Sequence, residues 1–163
     1  LDDFRNFYKP NKKAEIMSIT KPIQTALTII RPSLHSNNIT LLEKYNSNLE
    51  LLLFKNELIQ VFLNLLENSQ DSFKEYPNNN SIITIETKDL DNGISIEVRD
   101  NASSINEEII EKIFDPYFST KIDKKGSGLG LYMSKIIIKE HHRGNITTKN
   151  YENGVGFIIF IPK

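Results

Sequence analysis

Alternation of apolar and polar residues predicts most of the strands in this chain. Ile83, Ile85 and Thr87 alternate with polar neighbours, and Asp91-Asn92-Gly93 supplies a hairpin turn. A second hairpin is predicted near the end of the chain, around Asn153-Gly154. The predicted strands are Ala14–Thr20 as a short edge strand, Ile39–Tyr45 joined through Asn46-Ser47-Asn48 to Leu49–Phe54, Ser81–Lys88, Ile94–Asp100, Thr147–Lys149 and Phe157–Ile161.

Apolar residues recur at helical spacing in the remaining segments. The strongest pattern is Asn56–Phe73, where Leu58, Phe62 and Leu65 share one face. The predicted helices are Lys21–Leu34, Asn56–Phe73, a short one at Asn106–Lys112, and Leu129–His141. Because strands and helices are mixed along the chain, we predict an α+β fold. It would be a two-layer α/β sandwich, with one mixed sheet and helices on one face.

The polar face of the Asn56–Phe73 helix is a first candidate for chemistry. Its stripe consists of Glu57, Gln60, Asn64, Asn68 and Asp71. Asn has low helix propensity, so two Asn side chains one turn apart are an unusual choice for a helix surface. An amide oxygen is also a hard, neutral ligand that suits Mg²⁺. The stripe is therefore either a solvated face or part of a magnesium and phosphate site.

Two further motifs carry candidate chemistry. Asp100 ends an apolar strand, where its carboxylate could accept a hydrogen bond from an exocyclic amine of a base, or simply begin a turn. Gly126, Gly128 and Gly130 precede a helix, and glycine lets backbone N–H groups approach phosphates closely. This loop matches neither the P-loop nor the dinucleotide fingerprint, and a plain Gly-rich linker is the alternative.

Composition narrows the classes of function. With 163 residues, 25% of them charged and 39% hydrophobic, the chain has the size and balance of one globular domain. The formal net charge of -1 argues against a nucleic-acid partner bound by bulk electrostatics. The chain has no Cys, which excludes disulfides, thiolate metal sites and Cys nucleophiles.

Four motifs in order resemble the ATP-binding catalytic domain of two-component sensor histidine kinases, from the superfamily shared with gyrase, Hsp90 and MutL. The asparagine box resembles residues 57–72, the first glycine box residues 100–105, the aromatic box residues 113–121, and the second glycine box residues 126–131. The resemblance implies a Bergerat-type ATP-binding fold whose mixed sheet has five strands. It also implies ATP and Mg²⁺ as cofactors.

The resemblance implies a role for each matching residue. Asn68 would coordinate Mg²⁺, Asn64 would line the same site, and Asp100 would accept from the adenine amino group. Phe114 and Phe118 would anchor an ATP lid that contains Lys121. The implied ATP-binding residues are Asn64, Asn68, Asp71, Asp100, Ala102, Ile105, Phe114, Phe118, Lys121, Gly126, Ser127, Gly128, Leu129, Gly130 and Leu131. The implied catalytic residues are Asn64, Asn68 and Lys121.

The implied activity is transfer of the ATP γ-phosphoryl group to a His on a helical dimerisation domain, for relay to an Asp of a response regulator. ATP-hydrolysing relatives carry a Glu where this chain has Asn64, and its absence favours transfer over hydrolysis. Two alternatives remain open. One is an ATP-hydrolysing relative, and the other is a nucleotide-binding module with weak or lost kinase activity, for which Ser103-Ser104 is the argument.

The resemblance also implies the surroundings of the domain. Residues 1–9 resemble the end of the helical dimerisation domain, and residues 10–163 the catalytic domain. The phosphorylated His would lie upstream of Leu1, and we interpret His35, His141 and His142 as surface or helix-end residues. The expected partners are a response regulator receiver domain and a second copy of the parent protein. We expect a cytoplasmic domain of a membrane-bound parent.

The first glycine box departs from the family. Relatives usually have Gly at the position of Ser104, and often at that of Ser103. If that backbone needs a positive φ, Ser costs roughly 1 kcal/mol there. On this basis Ser104→Gly is expected to tighten ATP binding.

Overall fold

The computed structural model describes residues 13–119 and 128–163. Helices and strands alternate irregularly along these two ranges. In chain order the elements are β1 Glu15–Ser18, α1 Thr20–Ser36, β2 Thr40–Asn46, β3 Glu50–Leu53, α2 Lys55–Glu75, β4 Ile82–Leu90, β5 Gly93–Asp100, α3 Gly130–Ile136 with a π-helical extension at Ile137–His141, β6 Asn145–Tyr151 and β7 Gly154–Pro162.

The main sheet has five strands in the order β2-β4-β5-β7-β6. β2 runs parallel to β4, whereas the other neighbours are antiparallel, so the sheet is mixed. Alternate residues of β4 and β5, such as Ile83, Ile85, Ile96 and Val98, are buried in one hydrophobic core with the apolar faces of α1 and α2. The predicted α+β sandwich is confirmed.

The first strands pair differently from the prediction. β1 is not an edge strand of the main sheet, because it pairs antiparallel with β3 in a separate two-stranded sheet. β2 and β3 flank the predicted turn but do not pair with each other. The Ser47 hydroxyl in this turn hydrogen-bonds to the Asp89 carboxylate and accepts from the Leu49 N–H at 3.1 Å. The turn thus leads the chain from one sheet to the other.

The segment predicted as a short helix at Asn106–Lys112 is a series of turns. Its hydrogen bonds join residues three apart, from the Ile109 N–H to the Asn106 carbonyl and from the Lys112 N–H to the Ile109 carbonyl. The Asn106 side chain accepts from the Glu108 N–H at 2.9 Å, which favours a turn at this point. The helix prediction is wrong here, because apolar spacing alone does not distinguish turns from a helix.

The two helices that border the site agree with the predictions. α2 buries Leu58, Phe62 and Leu65 completely, as its periodicity indicates. α3 begins at Gly130 and continues to His141 through its π-helical extension. In the part of the chain that the structure describes, no helix is long and apolar enough to cross a bilayer.

Candidate functional site

A cavity of about 450 Å³ opens between α2, the segment that follows β5 and the start of α3. This volume lies in the range of small-molecule sites. The lining residues are Asn64, Glu67, Asn68, Asp71, Ser72, Glu75, Tyr76, Ser103, Ser104, Ile105, Asn106, Ile109, Ile113, Phe118, Ser119, Gly128, Gly130, Leu131, Val155 and Phe157.

The cavity brings together residues from all four motifs. The predicted site residues that line it are Asn64, Asn68, Asp71, Ile105, Phe118, Gly128, Gly130 and Leu131. Asp100, Ala102, Phe114 and Leu129 are not among the lining residues. Lys121, Gly126 and Ser127 lie outside the described residues, as does the predicted end of the helical domain at residues 1–9.

Asn64 joins α2 to the second glycine box. Its amide nitrogen donates to the Gly130 carbonyl at 3.1 Å and to the Ser134 hydroxyl at 3.2 Å. Its amide oxygen accepts from the Gln60 side chain at 2.9 Å. Ser134 is itself bonded to the Gly130 carbonyl, at 2.8 Å. The amide nitrogen of Asn64 therefore links α2 to α3, and its oxygen bonds within α2 to Gln60.

Asn68 lies one turn further along α2 and has a different environment. It is half-buried and lines the cavity. Within residues 13–119 and 128–163 its side chain has no hydrogen-bond partner. Its amide oxygen is therefore available to a ligand from the cavity side, in contrast to that of Asn64.

Asp100 is buried beside the cavity. It is 2% exposed and lies in register with Val155 of β7, which lines the cavity. Burial raises the pKa of Asp100 to about 6, although the Ala102 N–H and the nearby Ser69 hydroxyl favour the charged form. Ser69 Oγ is also buried; it lies near enough to Asp100 to favour the charged carboxylate, but it makes no well-directed hydrogen bond among the described residues. An unsatisfied hydroxyl next to a buried carboxylate fits a polar ligand group at this end.

The backbone of Gly128 fits its place in the second glycine box. Its φ is 71°, and an added Cβ would lie 2.6 Å from the carbonyl carbon of Tyr117. The Gly128 carbonyl also accepts the Tyr117 N–H at 2.9 Å, and Tyr117 itself has a φ of 66°. These two residues hold the chain together on either side of residues 120–127. A larger residue at position 128 would separate them.

The backbone of Ser104 does not have the positive φ that would favour glycine at this position. Among the described residues, only Asn38, Tyr117 and Arg143 have a positive φ without being glycine. The strain argument for Ser104 is therefore wrong, and Ser103 and Ser104 line the cavity without left-handed backbone. Glycine at these positions is not required by the backbone of this chain.

The sequence interpretation missed part of the cavity and one of the histidines. Glu75 and Tyr76 line the cavity from the end of α2, and extending the Asn64–Asn68–Asp71 spacing by four residues would have found Glu75. His35 is exposed, as predicted. His142 follows the last residue of the π-helical extension, which agrees with its interpretation as a helix-end residue, but its side chain is buried. Its polar sequence neighbours did not reveal this, because the burial comes from contacts distant in sequence.

The bonds of His142 define its tautomer. Its Nε2 accepts the Phe54 N–H at 3.1 Å, so its Nδ1 carries the proton and donates to the Ile137 carbonyl at 3.0 Å. Burial lowers the pKa of His142, which favours this neutral form. The neighbouring His141 Nδ1 lies 2.5 Å from a carboxylate oxygen of Glu57 near the start of α2. The two histidines thus attach the end of α3 to the beginning of α2.

Comparison with known proteins agrees with this site. Residues 55–163 match the family described as histidine kinase-, DNA gyrase B-, and HSP90-like ATPase. Sporulation kinase A of Bacillus subtilis (strain 168) is 30% identical over an alignment of 159 residues, which covers 95% of this chain and 25% of that protein. Sensor protein TdiS of Thauera aromatica is 29% identical, over 98% of this chain and 29% of its own length.

Solved structures give the same result. The nucleotide-free catalytic domain of the histidine kinase ThkA matches with a TM-score of 0.81 and 31% identity, covering 93% of this chain and 96% of that one. ThkA in complex with the response regulator protein TrrA matches with a TM-score of 0.79 and 27% identity, covering 99% of this chain and 46% of that one. The chain therefore belongs to the histidine kinase-, DNA gyrase B- and HSP90-like ATPase family, and within it to the catalytic domains of histidine kinases.

Proposed function

We propose that this domain binds ATP with Mg²⁺ in the 450 Å³ cavity and transfers the γ-phosphoryl group to a His on a helical domain of the same parent protein. The phosphoryl group would then pass to an Asp of a response regulator. The observation that carries the proposal is the position of Asn68, which has no side-chain partner among the described residues and lines the same cavity as Gly128 and Gly130.

Mg²⁺ is supported by the donor set at this point. Mg²⁺ usually takes one or two protein oxygens and completes its octahedron with waters and substrate phosphates. Asn68 offers one such oxygen, and no group of three His, Cys, Asp or Glu side chains in the described ranges could hold a metal by itself. When bound, Mg²⁺ would neutralise charge on the phosphates. Asn68 would orient it.

The base of the nucleotide would lie at the opposite end, near Asp100. A buried carboxylate accepts a hydrogen bond from the amino group of adenine, and guanine offers a carbonyl there instead. The raised pKa of Asp100, about 6, leaves it charged at neutral pH and able to accept. Ser69, with its unsatisfied buried hydroxyl, would take part in the same contact.

Transfer is favoured over hydrolysis by the side chain at position 64. A general base needs a group that can take a proton from water. Asn64 is a neutral amide, and both of its ends are engaged with Gln60, Gly130 and Ser134. It would therefore hold the glycine box in place and leave the attacking group to be supplied by another domain.

The surroundings of the domain are also proposed. Residues 1–9 would be the end of the helical domain through which two copies of a membrane-bound parent associate, with this domain in the cytoplasm. The chain spans only about a quarter of Sporulation kinase A, 25% of its length, and 29% of the sensor protein TdiS. ThkA has been crystallised with the response regulator TrrA, which supports a partner of that class here.

Two measurements test the proposal. Titration calorimetry of the domain with ATP, with and without Mg²⁺, should show binding that Mg²⁺ strengthens. The full-length parent incubated with labelled ATP should form acid-labile, base-stable phosphohistidine, whereas residues 1–163 alone should stay unlabelled. Release of phosphate without phosphohistidine would identify the ATP-hydrolysing alternative. Absence of ATP binding would contradict the proposal.

A further inference from the structure

Asn150 of β6 forms a two-bond clamp with the backbone of Ile105. Its amide oxygen accepts the Ile105 N–H at 2.8 Å, and its amide nitrogen donates to the Ile105 carbonyl at 2.7 Å. The same nitrogen lies 3.3 Å from a carboxylate oxygen of Glu107. The side chain thus binds Ile105 as a neighbouring strand would, although Ile105 belongs to no strand.

The sheet places this clamp on the cavity side. Val155 of β7 lies in register with Asp100 of β5 and with Asn150 of β6. In-register residues of neighbouring strands project from the same face of a sheet. Val155 lines the cavity, so the side chains of Asp100 and Asn150 project from that face on either side of it.

Side chains hold the segment that leaves β5 at both of its ends. At its start, the Ala102 N–H donates to Asp100 Oδ1 at 3.0 Å. At its end, Ile105 is held by Asn150. Between these points lie Ser103 and Ser104, which line the cavity and have no left-handed backbone. This wall is thus held by side-chain hydrogen bonds at both ends.

We propose that Asn150 is a positioning residue for the nucleotide, a role that rests on the proposed ATP binding. By holding Ile105, Asn150 sets the distance of the wall at residues 103–105 from α2, and with it the width of the cavity. The amide of Asn150 carries a donor and an acceptor side by side, which is what the carbonyl and the N–H of Ile105 require. The wall is distant in sequence from Asn150, since Ile105 and Asn150 lie 45 positions apart.

The test compares Asn150→Ala and Asn150→Leu with Asn145→Ala. Leu fills the space of Asn without hydrogen bonding, which separates lost packing from a lost clamp. Asn145 is an exposed Asn of the same strand, and its side chain has no hydrogen bond within the described ranges. Three quantities are measured for each variant: the exchange rate of the Ile105 amide by NMR, the Kd for ATP, and the Tm.

Both Asn150 variants should exchange the Ile105 amide at least about tenfold faster and raise the Kd for ATP about tenfold, because two hydrogen bonds are lost. Amides of the central strands and the ATP affinity of Asn145→Ala should stay unchanged. Unchanged Ile105 exchange, or faster exchange with unchanged Kd, would overturn the inference. If the wild-type domain bound no ATP, the proposed function would fail, and exchange at Ile105 would still decide whether the clamp exists.

Discussion

The two halves of α2 carry similar polar residues on one face but differ in what those residues contact. In the first half, both ends of the Asn64 amide form hydrogen bonds with other protein groups. The side chain of Glu57 contacts His141, and Glu57 is only 4% exposed. In the second half, Asn68 and Asp71 face the cavity. The helical stripe therefore has two regions: a junction with α3, whose Asn64 also lines the cavity, followed by one wall of the candidate site.

This difference shows that the type of a residue and its spacing along a helix do not determine the role of its side chain. An Asn becomes a structural link where a backbone carbonyl, such as that of Gly130, approaches within hydrogen-bond distance. It stays available to a ligand where the neighbouring element recedes to form a cavity. Asn68→Ala and Asn64→Ala separate the two regions, because the first should mainly weaken nucleotide binding and the second should lower the free energy of unfolding.

The largest expected effect is on Asn68. Asn68→Ala should weaken Mg²⁺-dependent ATP binding about 10- to 100-fold, as loss of a metal-orienting group does. The free energy of unfolding should change little, because the side chain has no protein partner among the described residues. Calorimetry with and without Mg²⁺ and urea unfolding check both parts. A variant that binds ATP normally would place Asn68 outside the site.

His142→Ala tests the junction at the start of α2. It should lower the free energy of unfolding by about 2–3 kcal/mol, since it leaves a cavity and the Phe54 N–H without its partner. The exposed His35→Ala serves as the control and should change it by less than about 0.5 kcal/mol. Urea unfolding measures both, and equal effects would contradict the buried role of His142.

Asn64→Ala is the direct counterpart of Asn68→Ala. It should lower the free energy of unfolding by about 1–2 kcal/mol, because the bonds to Gly130 and Ser134 are lost. Gln60→Ala removes only the exposed hydrogen bond to the Asn64 oxygen and should lower the free energy of unfolding by less than about 0.5 kcal/mol. If Asn64→Ala kept full stability and lost only the Mg²⁺ effect, the two Asn residues would be equivalent after all.

The pH dependence of stability follows from two buried groups of opposite sign. The pKa of His142 is lowered from 6.5, so the unfolded chain binds a proton first and the free energy of unfolding falls as the pH drops below about 6.5. The pKa of Asp100 is raised from 3.8 to about 6, so its stabilising contribution is complete below 3.8 and is lost as the pH rises through 6. The two effects partly cancel in the wild-type domain.

Asp100→Asn should separate these effects. Above pH 6 the substitution removes a buried charge, so the variant should be more stable than the wild type. As the pH drops from about 6.5, the free energy of unfolding of the variant should fall more steeply, because only the protonation of His142 then contributes to its pH dependence. Urea midpoints at several pH values measure this. Parallel curves for the two proteins would exclude the opposing contribution of Asp100.

The smallest effect is expected for Ser104→Gly. Because the φ of Ser104 is not positive, glycine relieves no strain, and the Kd for ATP should stay within about twofold. Gly128→Ala is the contrasting variant, since a Cβ there would meet the backbone of Tyr117 at 2.6 Å and should weaken binding strongly. Tighter binding by Ser104→Gly would restore the strain argument.

The sequence alone was sufficient for features that depend on neighbours along the chain. Alternation in β4 and β5 and apolar spacing in α2 predicted these elements, since period and turn chemistry are local properties. The four motif segments contain most of the residues that line the cavity, including Asn68 and Gly128, because the order of the motifs along the chain is itself the signal.

Tertiary structure decided the features that join distant segments. It placed β1 against β3, tied Asn64 to Gly130, buried Asp100 and His142, and set Asn150 against Ile105. None of these partners follows from a periodic pattern, because periodicity indicates which face is buried but not which element covers it. The hydrogen bonds and the pKa values of these side chains depend on the element that covers them. The division of α2 into a junction and a site wall has the same cause.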